Sequence, residues 1–203
     1  MHAEIPLPLL APPLLHEILA LITKVPDQLR AHSCYDGSWS SIGLAYGTSN
    51  GHSEMTAWMA DVPTVSALLE HFGGCTGFCT IARISPGDLL NWHTDPLSID
   101  SGTVRLHLPV TTNSDAVTDF CHERAFWPAG TLHYGDYGFP HRVFNTGDTE
   151  RIHLYFDVAA QTVAKLFPEP LSSPRHEIRS RAIGLLQRHR HSHGNDGCIR
   201  STA

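Results

Sequence analysis

From residue 77 to residue 158 the chain is cut into short apolar or alternating runs, at 77–84, 88–92, 103–110, 115–121, 124–127, 131–134, 142–146 and 150–158, separated by Gly, Pro, Asn and Asp. Runs of this length bounded by turn residues read as strands. Eight of them within about eighty residues favour an antiparallel sandwich or barrel over alternating βα units. Trp39 to Tyr46 reads as a further strand, followed by a loop at Gly47-Thr-Ser-Asn-Gly51.

Helices are expected around this β region. Pro13 to Lys24 carries a proline near its first turn and an apolar stripe. A second helix is expected with Asp61 as N-cap and Pro63 in its first turn, stopped by Gly73-Gly74. Stretches 159–167 and 175–188 also read as helical, and 187–197 as a polar, disordered tail. The expected organisation is one domain over 1–170, then a helical and finally disordered segment over 171–203. No internal repeat is present.

Composition narrows the class. With 41% hydrophobic residues in 203, the chain can bury a core. Its net charge of -6 argues against a nucleic-acid partner. Pro6, Pro8, Pro12 and Pro13 interrupt the apolar N-terminus and no basic region precedes it, so it reads as neither a signal peptide nor a membrane span. The five cysteines include no Cys-x-x-Cys pair, and Cys75 and Cys79 read as buried free thiols, which places the protein in a reducing cytoplasm.

The chemistry-bearing residues fall within the β region. With 15 histidines in the chain, an isolated histidine says little, and the argument rests on spacing and companions. His93 and Asp95 share a face just past the strand ending at Trp92, and Pro96 helps end that strand. His141 follows Gly138-Phe139-Pro140, a rigid turn that opens another strand. Two imidazoles and one carboxylate are the ligand set of a facial triad, which leaves three positions open on a non-haem iron(II) for co-substrate and O₂. Arg151 supplies a fixed cation suited to a two-pronged grip on a dicarboxylic co-substrate. Period-two alternation puts Arg105 and His107 on one face of their strand against Val104, Leu106 and Leu108 on the other. It likewise puts Arg151, His153 and Tyr155 on one face of theirs. In an open sandwich such a polar face meets water; in a barrel-like jelly roll it lines a pocket. The sequence leaves both open.

His93-x-Asp95, Arg105-x-His107 and the run from His141 through Arg151 to Asp157 resemble the aspartyl/asparaginyl β-hydroxylase family over about residues 77–158. The resemblance implies a mainly β, double-stranded β-helix (jelly-roll, cupin-like) fold with flanking helices. It implies that His93, Asp95 and His141 bind Fe(II), that Arg151 holds the distal carboxylate of 2-oxoglutarate, and that Arg105 and His107 lie near its metal-chelating end. Family members acting on EGF-like domains lack the carboxylate ligand, and Asp95 makes this chain look more like the bacterial small-molecule branch. Ala82 stands where some relatives place a hydroxyl near the co-substrate, leaving the arginines a larger share of its binding.

The implied activity is hydroxylation of an unactivated side-chain carbon, with succinate and CO₂ as co-products. With Asp95 filling the third protein position, no site is freed for a halide. The implied substrate is amino-acid-like, either a free small molecule or a residue tethered to a carrier protein or held within a peptide. Asn91, Trp92 and His153 are the candidate substrate contacts, while Trp39, Tyr46 and Trp58 read as core. Two other classes stay open on the same ligands: a cupin-like metal-binding sensor without redox turnover, and a non-oxidative metal isomerase or hydrolase that has no need of Arg151.

Overall fold

A computed structural model describes residues 2–5, 11–25, 31–32, 39–48, 52–121, 123–164 and 174–193. In chain order the elements are β1 (His2–Ile5), α1 (Ala11–Lys24), β2 (Ala31–His32), β3 (Trp39–Gly47), β4 (Ser53–Met55), α2 (Pro63–His71), β5 (Cys79–Ile84), β6 (Leu89–His93), β7 (Thr103–Thr111), β8 (Ala116–Phe120), β9 (Glu123–Ala125), β10 (Leu132–Gly135), β11 (His141–Asn145), β12 (Arg151–Ala159), α3 (Ala160–Ala164) and α4 (Pro174–His193). All eight runs between 77 and 158 form strands, each shifted by a residue or two from its expected bounds.

The strands pair antiparallel in two sheets. The larger runs β1-β10-β7-β12-β5-β3-β2, with β4 paired to β3, and the smaller runs β6-β11-β8-β9. Most pairings, among them β1-β10, β10-β7, β7-β12, β12-β5, β6-β11 and β11-β8, join strands that are not consecutive in sequence, the pattern of a mainly β double-stranded β-helix.

The alternation on β7 and β12 decides what each face meets. Val104, Leu106, Leu108, Ile152, Leu154, Phe156 and Val158 point outward from the barrel and are buried under α1 and α2. Leu14, Ile18 and Leu21 of α1 and Val65, Leu68 and Leu69 of α2 complete that core. Burying each such side chain contributes about 1.5–3 kcal/mol, so this layer fixes the large sheet on the helices. The opposite face, carrying Arg105, His107, Arg151 and Tyr155, lines a cavity within the barrel. The two outcomes left open by the sequence are thus resolved in favour of the pocket.

Several expectations change. Asp61 does not cap α2: it ends a 3-10 turn, Ala57–Asp61, and pairs with Lys24. The N-cap position is Val62, and Glu17 of α1 reaches across instead, accepting from the Thr64 backbone N–H at 2.8 Å. Docking α1 against α2 thereby satisfies an N-terminal amide that the expected cap leaves unmet. Helix α4 continues to His193, past the expected end at 188, because the Arg-His run after Gln187 has no breaker before Gly194. Residues 165–167 and the tail beyond 193 lie outside the described residues. Cys79 is a buried free thiol in the core and Cys75 a partly buried one packed against it. Among the described residues, no helix is long and apolar enough to cross a membrane.

Candidate metal centre

His93 ends β6 and His141 opens β11, and the two residues stand directly opposite each other in the smaller sheet. Facing side chains on paired strands sit close, and here the ring centroids are 4.1 Å apart at 59°. The segment after β6 brings Asp95 to the same place, its backbone N–H donating to Tyr137 O at 2.9 Å. One ligand atom from each of His93, Asp95 and His141 lies within 4.8 Å of the others.

The rings are oriented for coordination. His93 Nδ1 hydrogen-bonds Asn91 O at 2.7 Å, and His141 Nδ1 hydrogen-bonds Phe139 O at 2.9 Å. If each Nδ1 carries the proton, Nε2 keeps the lone pair that a metal needs, the arrangement by which backbone carbonyls orient metal-bound histidines. Burial, and next the neighbouring His93, lower the His141 pKa to about 3, so the ring is neutral. Burial would raise Asp95, but Arg105, His141 and His93 outweigh it and hold the carboxyl below its usual range. A neutral His141 imidazole and an ionised Asp95 carboxylate beside His93 fit a divalent cation.

Arg105 fixes the carboxylate. Its Nη1 donates to Asp95 Oδ2 at 2.8 Å, while Nε and Nη2 donate to the two oxygens of Asp157 at 2.7 and 3.0 Å. Burial disfavours its charge, yet Asp157 and Asp95 raise its pKa well above the ordinary value. Its guanidinium, expected near the keto acid, is thus engaged on two aspartates, and its direct contact is with a candidate ligand. Asp157 faces Arg105 across the β12–β7 pair, and its Oδ2 also accepts from the Phe78 backbone N–H at 3.0 Å.

Arg151 lies at the other end of β12 and is buried. Among the described residues it has no acidic partner; its one hydrogen bond is from Nη2 to Thr118 Oγ1 at 3.4 Å, and its Nε has none. Burial lowers its pKa to about 10, which still leaves it cationic at neutral pH. A buried cation without a counter-ion is costly and calls for an anionic ligand. His107 stacks between Tyr137 and Tyr155 at 4.8 and 5.5 Å, with both ring nitrogens buried and unpartnered. Burial, then Arg151 and Arg105, lower its pKa well below the usual histidine value.

These residues line one cavity of about 260 Å³, together with Trp39, Phe78, Ala82, Ile84, Leu90 and Val143. Three expected substrate contacts are not brought to it. Asn91 is exposed, and its side chain accepts from the Trp92 N–H. Trp92 packs under the Arg142 guanidinium, 5.1 Å from it. His153 is buried behind the lining, 5.8 Å from the His107 ring. Sequence reasoning missed Asp157, Thr118 and Phe78 as contributors. The period of two on β12 already put Asp157 on the face of Arg151; Thr118 comes from the other sheet and carried no local signal.

A model of the family described as aspartyl/asparaginyl β-hydroxylase matches residues 14–161. The chain belongs to that family. It is a 2-oxoglutarate-dependent hydroxylase, and the match takes in most of α1, all of α2 and the strands that build the cavity. Two solved structures are similar in fold. One is an oxidoreductase of the 2OG-Fe(II) oxygenase family from Burkholderia pseudomallei, at 13% identity over 77% of this chain and 85% of that one, with a TM-score of 0.54. The other is a prolyl hydroxylase from Trichoplax adhaerens in complex with a peptide fragment of the hypoxia inducible factor oxygen degradation domain, at 12% identity over 83% and 87%, with a TM-score of 0.52. No curated protein matches the chain.

Proposed function

We propose that this family member binds Fe(II) through His93, Asp95 and His141 and 2-oxoglutarate through Arg151, and hydroxylates an unactivated side-chain carbon of an amino-acid-like substrate. The substrate is free, tethered to a carrier protein or held in a peptide. The observation that carries this reading is the joint presence, in one cavity, of a His-Asp-His cluster within 4.8 Å and a buried arginine with no acidic partner among the described residues.

When bound, iron with 2-oxoglutarate and O₂ supplies the oxidant that replaces C–H by C–OH, releasing succinate and CO₂. The chain's own residues do the rest. The carbonyls of Asn91 and Phe139 hold the two imidazoles, and Arg105, braced on Asp157, holds the Asp95 carboxylate. Arg151, with the Thr118 hydroxyl beside it, receives the distal carboxylate. His107, a neutral ring with both nitrogens unpartnered, is placed to hydrogen-bond the chelating end. The aliphatic side chains of Ile84, Leu90 and Val143 exclude water between the two ends. The free thiols at Cys75 and Cys79 suit a reducing, cytoplasmic setting.

The test is succinate formation from 2-oxoglutarate with ferrous iron and O₂, read beside iron content. His141→Ala is expected to lose stoichiometric iron; retention of it would remove His141 from the ligand set. Arg151→Ala is expected to weaken 2-oxoglutarate binding at least about thirtyfold, as removal of one partner from a buried ionic contact does. An unchanged Kd assigns the carboxylate to another group. Iron binding with no succinate under any condition supports a sensor instead.

A further inference from the structure

Charge at the loaded centre closes without the substrate. The cations are Arg105, Arg151 and the ferrous ion; the anions are Asp95, Asp157 and the two carboxylates of 2-oxoglutarate. Four positive charges meet four negative ones, and among the described residues no further acidic, lysine or arginine side chain lines the cavity. A carboxylate or ammonium carried in by the substrate would be buried with no counter-charge, which proteins avoid because desolvation is not repaid.

Shape points the same way. Beside Arg105, whose partner Asp157 also accepts from the Phe78 N–H, the cavity is lined by the Phe78 and Tyr155 rings. The Arg105 guanidinium covers Tyr155 at 4.3 Å, and Phe78 meets Tyr46 edge-on at 6.2 Å. Phe78 lines the cavity and is 45% exposed, so its ring stands where the cavity reaches solvent. The cavity of about 260 Å³ is also small, since ligand sites run to about 300–1,000 Å³ and this one must hold a five-carbon keto acid as well. Beside the keto acid, only part of that volume is left for the substrate.

We infer that the group presented for oxidation is an uncharged apolar side chain, packed on Phe78, while the amino and carboxyl ends of its residue stay outside the cavity. The inference rests on the oxygenase reading above and departs from the aspartyl side chain that the family's description names.

The experiment uses three probes of nearly equal shape, the N-acetyl methylamides of leucine, asparagine and aspartate, with iron-loaded protein and 2-oxoglutarate. Products are read as a one-oxygen mass gain, and the visible absorption of the ferrous keto-acid chelate is recorded without O₂. Leucine is expected to be oxidised best and aspartate worst, with kcat/KM at least roughly a hundredfold apart. Aspartate or asparagine matching leucine, or no oxidation of leucine while the chelate band is present, overturns this inference alone. Absence of the band overturns the oxygenase reading and this inference with it. Phe78→Arg, at a half-exposed position that tolerates a polar residue, is expected to raise the aspartate-to-leucine ratio at least tenfold. An unchanged ratio also overturns the inference.

Discussion

Asp157 accepts from two nitrogens of Arg105 and from the Phe78 N–H, so one buried carboxylate sets both the arginine and the start of β5. Its influence on the metal is indirect, through Arg105 and then Asp95. Asp157→Asn keeps the volume but removes the charge, leaving Arg105 half-neutralised in a buried site. The expected result is a 10- to 100-fold loss of iron affinity, the usual scale for residues that orient metal ligands, together with about 3–5 kcal/mol of lost stability. A ferrous-iron titration with unchanged affinity would show that Arg105 orients Asp95 unaided. Gly77 belongs to the same contact: a Cβ there would stand 2.6 Å from Asp157 Oδ2, so only glycine allows this approach.

Strand β12 carries two functions on two faces. Arg151, Tyr155 and Asp157 serve the cavity side, and Ile152, Leu154, Phe156 and Val158 serve the core under the helices. Substitutions on the two faces should therefore separate. Leu154→Ala is expected to cost about 2–5 kcal/mol of unfolding free energy, the range for fully buried leucines. At temperatures where the variant remains folded, its 2-oxoglutarate Kd should stay near that of the parent, in contrast to Arg151→Ala. Calorimetric titration beside urea unfolding checks the pair. Loss of binding in Leu154→Ala would mean that the two faces are not independent.

For the molecule as a whole, the barrel interior stores uncharged histidine. His107, His141 and His153 all have pKa values lowered, with burial the largest cause. An unfolded histidine titrates near 6.5, so the unfolded chain takes up these protons first as pH falls. Their contribution to stability is complete above about pH 6.5 and shrinks below it, by up to about 1.4 kcal/mol per pH unit for each ring. Asp95 and Asp119, whose pKa values are lowered, add stability that persists above about pH 4 and is lost in stronger acid. Urea midpoints of the metal-free protein should thus fall between pH 7 and pH 5, ahead of carboxylate titration. His153→Phe should flatten that fall, and a midpoint independent of pH across this window would refute the account.

The eight strands between 77 and 158 were legible because alternation and turn residues are local properties of the chain. The same holds for α1 and for His93-x-Asp95, whose spacing on a strand end already put both side chains on one face. Strands β1, β2 and β4 were not legible: they are two to four residues long and exist through pairing with β10 and β3. Nor was the partner of Arg105, because Asp157 meets it by the register between two strands fifty residues apart in the chain. Sequence alone determined which side chains share a face. Tertiary structure alone decided what covers each face, since helices claimed the apolar side and the second sheet enclosed the polar one. That enclosure is what turns an arginine on an alternating strand into a buried cation awaiting an anion.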